Sequence, residues 1–195
     1  MRLKIFAAAV ISFLLSLLLS GCLGSPDGVV AIDGFDKQRY LGRWYEVARL
    51  DHSFERGLTN VTADYSLRED GGIRVINRGY STDESAWQEA EGKAYFIDDE
   101  QQGHLKVSFF GPFYGSYIIF EMDEQDYQYA FVAGNSTDYL WLLARTPTIS
   151  PLLREQFIQQ VNELGFNAEA LIFVDQALND QALNNQALNN QALNK

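Results

Sequence analysis

Eight strand-length apolar runs follow one another in this chain, each joined to the next by a short turn. They are Trp44 to Leu50, Leu58 to Leu67, Ile73 to Tyr80, Ala86 to Ile97, Leu105 to Phe109, Tyr117 to Met122, Tyr127 to Ala133 and Tyr139 to Arg145. Glu69-Asp70-Gly71-Gly72 is a strong hairpin signal, and Asp98-Asp99-Glu100 and the Gly/Pro-rich Phe110–Gly115 stretch end two other runs. Connections this short favour antiparallel neighbours. An eight-stranded meander of this kind predicts an all-β fold, an up-and-down barrel in which closure removes the free edges. One helix is expected after the strands. Ser150 suits the N-cap, Pro151 the first helical position and Gly165 the end. Leu153, Phe157, Val161 and Leu164 share one face of it, which would pack on the barrel wall. Leu171 to Val174 reads as a short ninth strand.

Three local motifs sit on this frame. Gly42-Arg43-Trp44 opens the first strand, Thr137-Asp138-Tyr139 falls at the turn before the eighth, and Arg145 ends the eighth. Together with the order of eight strands, helix and ninth strand, they resemble the lipocalins. The resemblance implies that Gly42, Trp44 and Arg145 are structural, with the arginine lying across the tryptophan and closing one end of the barrel. A guanidinium stacked on indole keeps donors for nearby carbonyls, so the physics suits that role. Longer stretches, Trp44 to Arg49, Asp51 to Gly57 and Val107 to Gly115, are similar to the bacterial branch of the family. The similarity runs from about Tyr40 to Val174.

The resemblance implies a calyx for one small apolar ligand, which an eight-stranded barrel is wide enough to hold. In the bacterial branch that ligand is a fatty acid or lysophospholipid. Aromatic residues make up 13% of the chain, and those on strands are candidates for the lining: Trp141, Tyr65, Tyr80, Trp87, Tyr95, Phe109 and Tyr117. Trp141 is favoured, because it shares strand parity with Arg145 and its counterpart in the apolipoprotein D branch lines the pocket. Alternation does not separate inward from outward in runs such as Tyr117-Ile118-Ile119-Phe120, apolar on both faces.

The first 21 residues have the make-up of a secretion signal. Arg2 and Lys4 precede an apolar run from Ile5 to Leu19, and small residues lead to Cys22, the only cysteine. The apolar run is shorter than a comfortable bilayer span. Leu19-Ser20-Gly21-Cys22 resembles a bacterial lipoprotein signal, which implies cleavage before Cys22 and lipidation of its thiol. In the sorting rule of such proteins an aspartate after the cysteine retains the chain in the inner membrane. Leu23 in that place implies the outer membrane, facing the periplasm. Residues 1–21 are thus expected to be removed, 22–28 to form a lipidated, flexible tether and 29–175 the barrel domain.

Residues 176–195 repeat a five-residue unit, Gln-Ala-Leu-Asn-Asn with small changes. On a helix, successive leucines would advance by about 140° and form no stripe. On a strand, the odd repeat sends them to alternate faces. The expectation is a solvated extension, disordered or weakly helical; the alternative is a partner-binding tail on a non-enzymatic envelope scaffold. The resemblance admits a homodimer, but the tail has no equivalent in the family.

Charge and residue types bear on the remaining function classes. The net charge of −11 becomes −13 once the positive charges Arg2 and Lys4 are removed. That argues against nucleic acid as a partner and against electrostatic docking on anionic lipid. The two histidines, His52 and His104, are isolated and expected to be exposed, with His52 in a loop over the open end. They make no metal site, and no cofactor is expected. The acidic clusters 98–100 and 123–126 fall in turns and read as solvated charge, so no enzyme activity is expected.

Overall fold

The computed structural model describes residues 23–179; the signal segment, Cys22 and residues 180–195 lie outside the described part. After a four-residue helix α1 (Lys37–Tyr40) come β1 (Gly42–Arg49), β2 (Leu58–Leu67), β3 (Ile73–Ser81), β4 (Ala86–Phe96), β5 (His104–Ser108), β6 (Gly115–Met122), β7 (Tyr129–Ala133) and β8 (Leu140–Ala144). Each strand pairs antiparallel with the next. β1 also pairs β8, with Tyr45 opposite Ala144, so the eight strands close into a barrel. Helix α2 (Pro151–Glu163) and a two-residue β9 (Ile172–Phe173), paired with β1 on the outside, complete the order. The expected all-β fold and element order are present, with boundaries within a few residues. Sequence reasoning missed α1, which is too short to show a period.

Strand alternation divides the apolar residues into two layers. Ala63, Tyr65, Ile73, Val75, Ala94, Leu105, Ile119 and Leu143 point inward around Trp44 and Tyr40. Val47, Ala48, Ile118, Phe120, Phe131, Leu140 and Leu142 form an outer layer under α2, where Phe157 and Val161 are fully buried. The Phe157 ring meets Phe131 at 4.8 Å in an edge-to-face contact. Ser150 caps the helix as expected, its hydroxyl accepting from the Leu153 N–H.

Two stretches pack more closely than their composition suggests. Leu23 to Gly28, expected as a flexible tether, lies on the outer wall. The Gly24 carbonyl accepts from Ser116 Oγ at 2.8 Å, Pro26 and Val29 are buried, and Ile32 bonds to the backbone of Gly103 and Ile119. The first unit of the repeat is also held. Gln176 is 5% exposed, and its side-chain amide donates to the carbonyls of Glu46 and Val61. It fills the place where β1 and β2 are both irregular, between Glu46 and Ala48 and between Thr59 and Thr62. Irregular pairing leaves carbonyls without ladder partners, and the amide satisfies two of them. Solvation of the tail is therefore corrected for Gln176; the expectation for residues 180–195 lies outside the described part.

Candidate functional site

The barrel is closed where β1 begins and β8 ends. Trp44 is completely buried, with its indole N–H on the Tyr40 carbonyl at 2.8 Å. The Arg145 guanidinium lies 3.9 Å from the centroid of the indole rings. It also donates to the carbonyls of Arg43, Arg39 and Tyr127. The arginine thus covers an apolar ring and ties three chain segments together, as stacking and a planar fork of donors allow. Gly42 holds φ at +92°, a conformation that disfavours side chains, and a Cβ there would sit 3.6 Å from Arg145 Nη1.

Above this plug a cavity of about 540 Å³ opens at the opposite end. Its wall on β2 to β5 is largely aliphatic, with Val61, Ala63, Ile73, Val75, Leu105 and Val107. Tyr40, Tyr65 and Tyr117 join hydroxyls across it, at 2.7 Å between Tyr40 and Tyr117 and 2.9 Å between Tyr65 and Tyr117. Burial pushes all three phenols well above their usual range, so they remain neutral donors and acceptors. Gly92 leaves room for the Phe109 ring, which a Cβ would approach to 2.8 Å. Phe54, Phe110, Phe113 and Tyr139 stand at the mouth.

Of the aromatic candidates, Trp141, Tyr65, Phe109 and Tyr117 line this cavity. Tyr80, Trp87 and Tyr95 do not, and the expectation is corrected for them. Tyr80 and Trp87 face each other across β3 and β4 on the outer surface, rings 5.6 Å apart, with the Arg78 guanidinium 4.3 Å from the Trp87 ring. Tyr95 also faces out and donates to Asp70 at 2.8 Å. Their parity is opposite to that of Ile73, Val75 and Ala94, which face in.

A buried polar group on the β1 side was missed from sequence. Glu46, Arg49, His52 and Glu55 are each 6% exposed or less. Arg49 Nη1 donates to Glu46 at 2.6 Å, and Nη2 donates to the carbonyls of Glu55 and Leu58. The Glu46 carboxyl hydrogen-bonds the Glu55 carboxylate, which also accepts from the Trp141 indole at 3.1 Å. Burial first, then the charge of Glu55, raises Glu46 well above the usual carboxyl range. Burial raises Glu55 as well, so two carboxyls that both resist ionisation share one guanidinium inside the barrel. In a regular strand Glu46 and Arg49 would face opposite ways. The bulge after Glu46 brings both inside.

His52, expected to be exposed, is buried among Phe54, Tyr139 and Trp141, with its ring stacked on Phe54 at 4.2 Å. Burial, with the nearby charge of Arg49, pushes it down to about 4. His104, also expected to be exposed, begins β5 half-buried, and burial lowers it too. Among the described residues, no three His, Cys, Asp or Glu side chains gather in a metal-holding group. No helix among them is long and apolar enough to cross a membrane.

A closed antiparallel barrel with a Trp–Arg plug at one end, an apolar calyx open at the other and a helix on its side defines a lipocalin. The chain belongs to the lipocalin-like domain family, whose model matches residues 35–176. Outer membrane lipoprotein Blc of Vibrio cholerae serotype O1 is 57% identical over 168 residues, covering 86% of this chain and 98% of that one. The protein of the same name from Escherichia coli K12 is 49% identical over 174 residues, covering 89% and 97%. Among solved structures, insecticyanin from the tobacco hornworm Manduca sexta superposes with a TM-score of 0.62 at 19% identity, covering 78% of this chain and 86% of that one, a likeness of fold. The names of the bacterial relatives support the outer-membrane location that Leu23 implies.

Proposed function

We propose that this lipocalin is held to the outer membrane by a lipid on Cys22 and carries the acyl chain of a fatty acid or lysophospholipid in its calyx. The observation that carries this reading is the cavity of about 540 Å³, within the roughly 300–1,000 Å³ of sites that take one small ligand. It is aliphatic along β2 to β5 and open at one end, which suits an acyl chain entering tail first. Each methylene buried contributes about 0.8 kcal/mol. The head group would remain near the mouth, by Phe54 and Tyr139. The role is binding, not catalysis, and it serves envelope maintenance by storing or moving lipid released under stress. The open cavity favours a carrier over a scaffold with a filled barrel.

A fluorescent fatty acid titrated into the purified protein is expected to bind saturably at one site and to be displaced by lysophospholipid. Linear, non-saturable binding would overturn the carrier. The anchor is tested separately: labelled palmitate enters the parent chain and is lost in Cys22→Ala.

A further inference from the structure

We infer that the β5–β6 corner of the calyx mouth is a docking surface for a phospholipid bilayer, so that the cup opens onto the membrane. Two phenylalanines of the connecting loop, Phe110 and Phe113, are each 79% exposed and stand beside the cavity entrance. Large aromatic rings held out in water on a short loop are costly for a soluble surface and well placed in the interfacial zone of a bilayer.

The path of the N-terminal segment points to the same corner. Gly24 is bonded to Ser116, one residue after the loop joins β6 at Gly115, and the chain then runs along the wall to Phe35 at the closed end. Cys22 is two residues before Gly24, and two peptide units reach at most about 7 Å. The proposed lipid would therefore be carried by the part of the chain that enters the structure at the mouth end of β6, the end from which the Phe110–Phe113 loop springs. The orientation rests on the proposed role of Cys22; the docking loop itself does not.

Charge is distributed accordingly. From Leu105 to Phe120 there is no acidic residue. The Lys93 and Lys106 ammonium groups lie 5.9 and 5.5 Å from the Tyr114 ring. The turns at the closed end carry Glu69, Asp70, Asp98, Asp99, Glu100, Asp123, Glu124 and Asp126. The segment that forms the corner thus brings no carboxylate of its own to an anionic surface, Glu91 on β4, beside Gly111, being paired with Arg74, while the closed-end carboxylates face away from it. The other mouth loops keep Asp51, Asp83, Glu84 and Asp138, so contact is made by the β5–β6 corner and not by the whole rim.

The test uses the full chain, whose one native cysteine is Cys22. Phe113→Cys, and Glu69→Cys on the closed-end hairpin, are each labelled with a thiol-reactive, environment-sensitive fluorophore. Both are reconstituted in phosphatidylethanolamine/phosphatidylglycerol vesicles with and without brominated acyl chains. The expected result is a blue shift and bromolipid quenching at position 113, with neither at 69. A label at 113 that behaves like the one at 69 would overturn the docking. Label stoichiometry reads the anchor independently, because one fluorophore per chain means a blocked Cys22 and two mean a free thiol. If Cys22 is free, subtracting the signal of the labelled parent chain still reports position 113. Saturable uptake of a fluorescent fatty acid in the same vesicles separates failure of docking from failure of the calyx.

Discussion

At Glu46 the protein interior and a second carboxyl group beside it disfavour a negative charge. Unfolded, it titrates in the ordinary range near 4.5; folded, it is raised well above that. The stability it contributes is therefore complete below the ordinary range and lost as pH rises towards the folded value. Glu46→Gln keeps a carbonyl for Arg49 and a donor for Glu55. It is expected to flatten the decline in urea-melt stability with rising pH. A variant with the parent's slope would place the proton elsewhere. His52 works in the opposite sense. Its pKa falls from 6.5 to about 4 on folding, so its contribution is complete above 6.5 and is lost as pH falls through 4. The Arg145 plug sets a different magnitude. Arg145→Ala strips donors from three carbonyls and uncovers Trp44, and should cost at least about 2 kcal/mol in chemical denaturation. The roles of Trp44 and Arg145 were legible because a motif carries them. The Glu46–Arg49–Glu55 group was not, because it depends on a strand irregularity that residue types do not announce.

Strands and helices were legible to the extent that their periods were clean. The β4 run held more information than apolar residues alone convey. Trp87 and Tyr95 share parity with Glu89, Glu91 and Lys93, and charged neighbours mark that face as outward. Tyr80 likewise shares parity with Arg74 and Arg78. Counting charges along each face would have removed all three from the calyx lining. The helix signal was clear, and its packing has a measurable weight. Phe157→Ala should destabilise by about 3–5 kcal/mol, while Ser150→Ala should lose about 1 kcal/mol with the cap. The docking of Gln176 was hidden within a low-complexity repeat, since the site it fills is made by two irregular strands distant in sequence. Gln176→Ala leaves the carbonyls of Glu46 and Val61 without this donor. A loss of about 1–3 kcal/mol is expected, with calyx binding retained because the amide lies outside the cavity.

As a whole, the molecule is a cup whose contents and fold are linked by mass action. A fatty acid at one hundred times its dissociation constant should add about 2.7 kcal/mol to stability, seen as a concentration-dependent rise in melting temperature. A melting curve indifferent to added fatty acid would argue against a calyx ligand of this kind. The plug also has a consequence in time. Arg145 bonds carbonyls 102 and 106 residues earlier in the chain, and the seam between β1 and β8 joins the first strand to the last. Contacts of such long range form slowly and only after the intervening chain is present. A polypeptide delivered N-terminus first keeps its Trp44 side chain waiting until the eighth strand arrives. Barrel closure therefore needs the eighth strand, and the calyx has its full wall only once that strand is paired to the first.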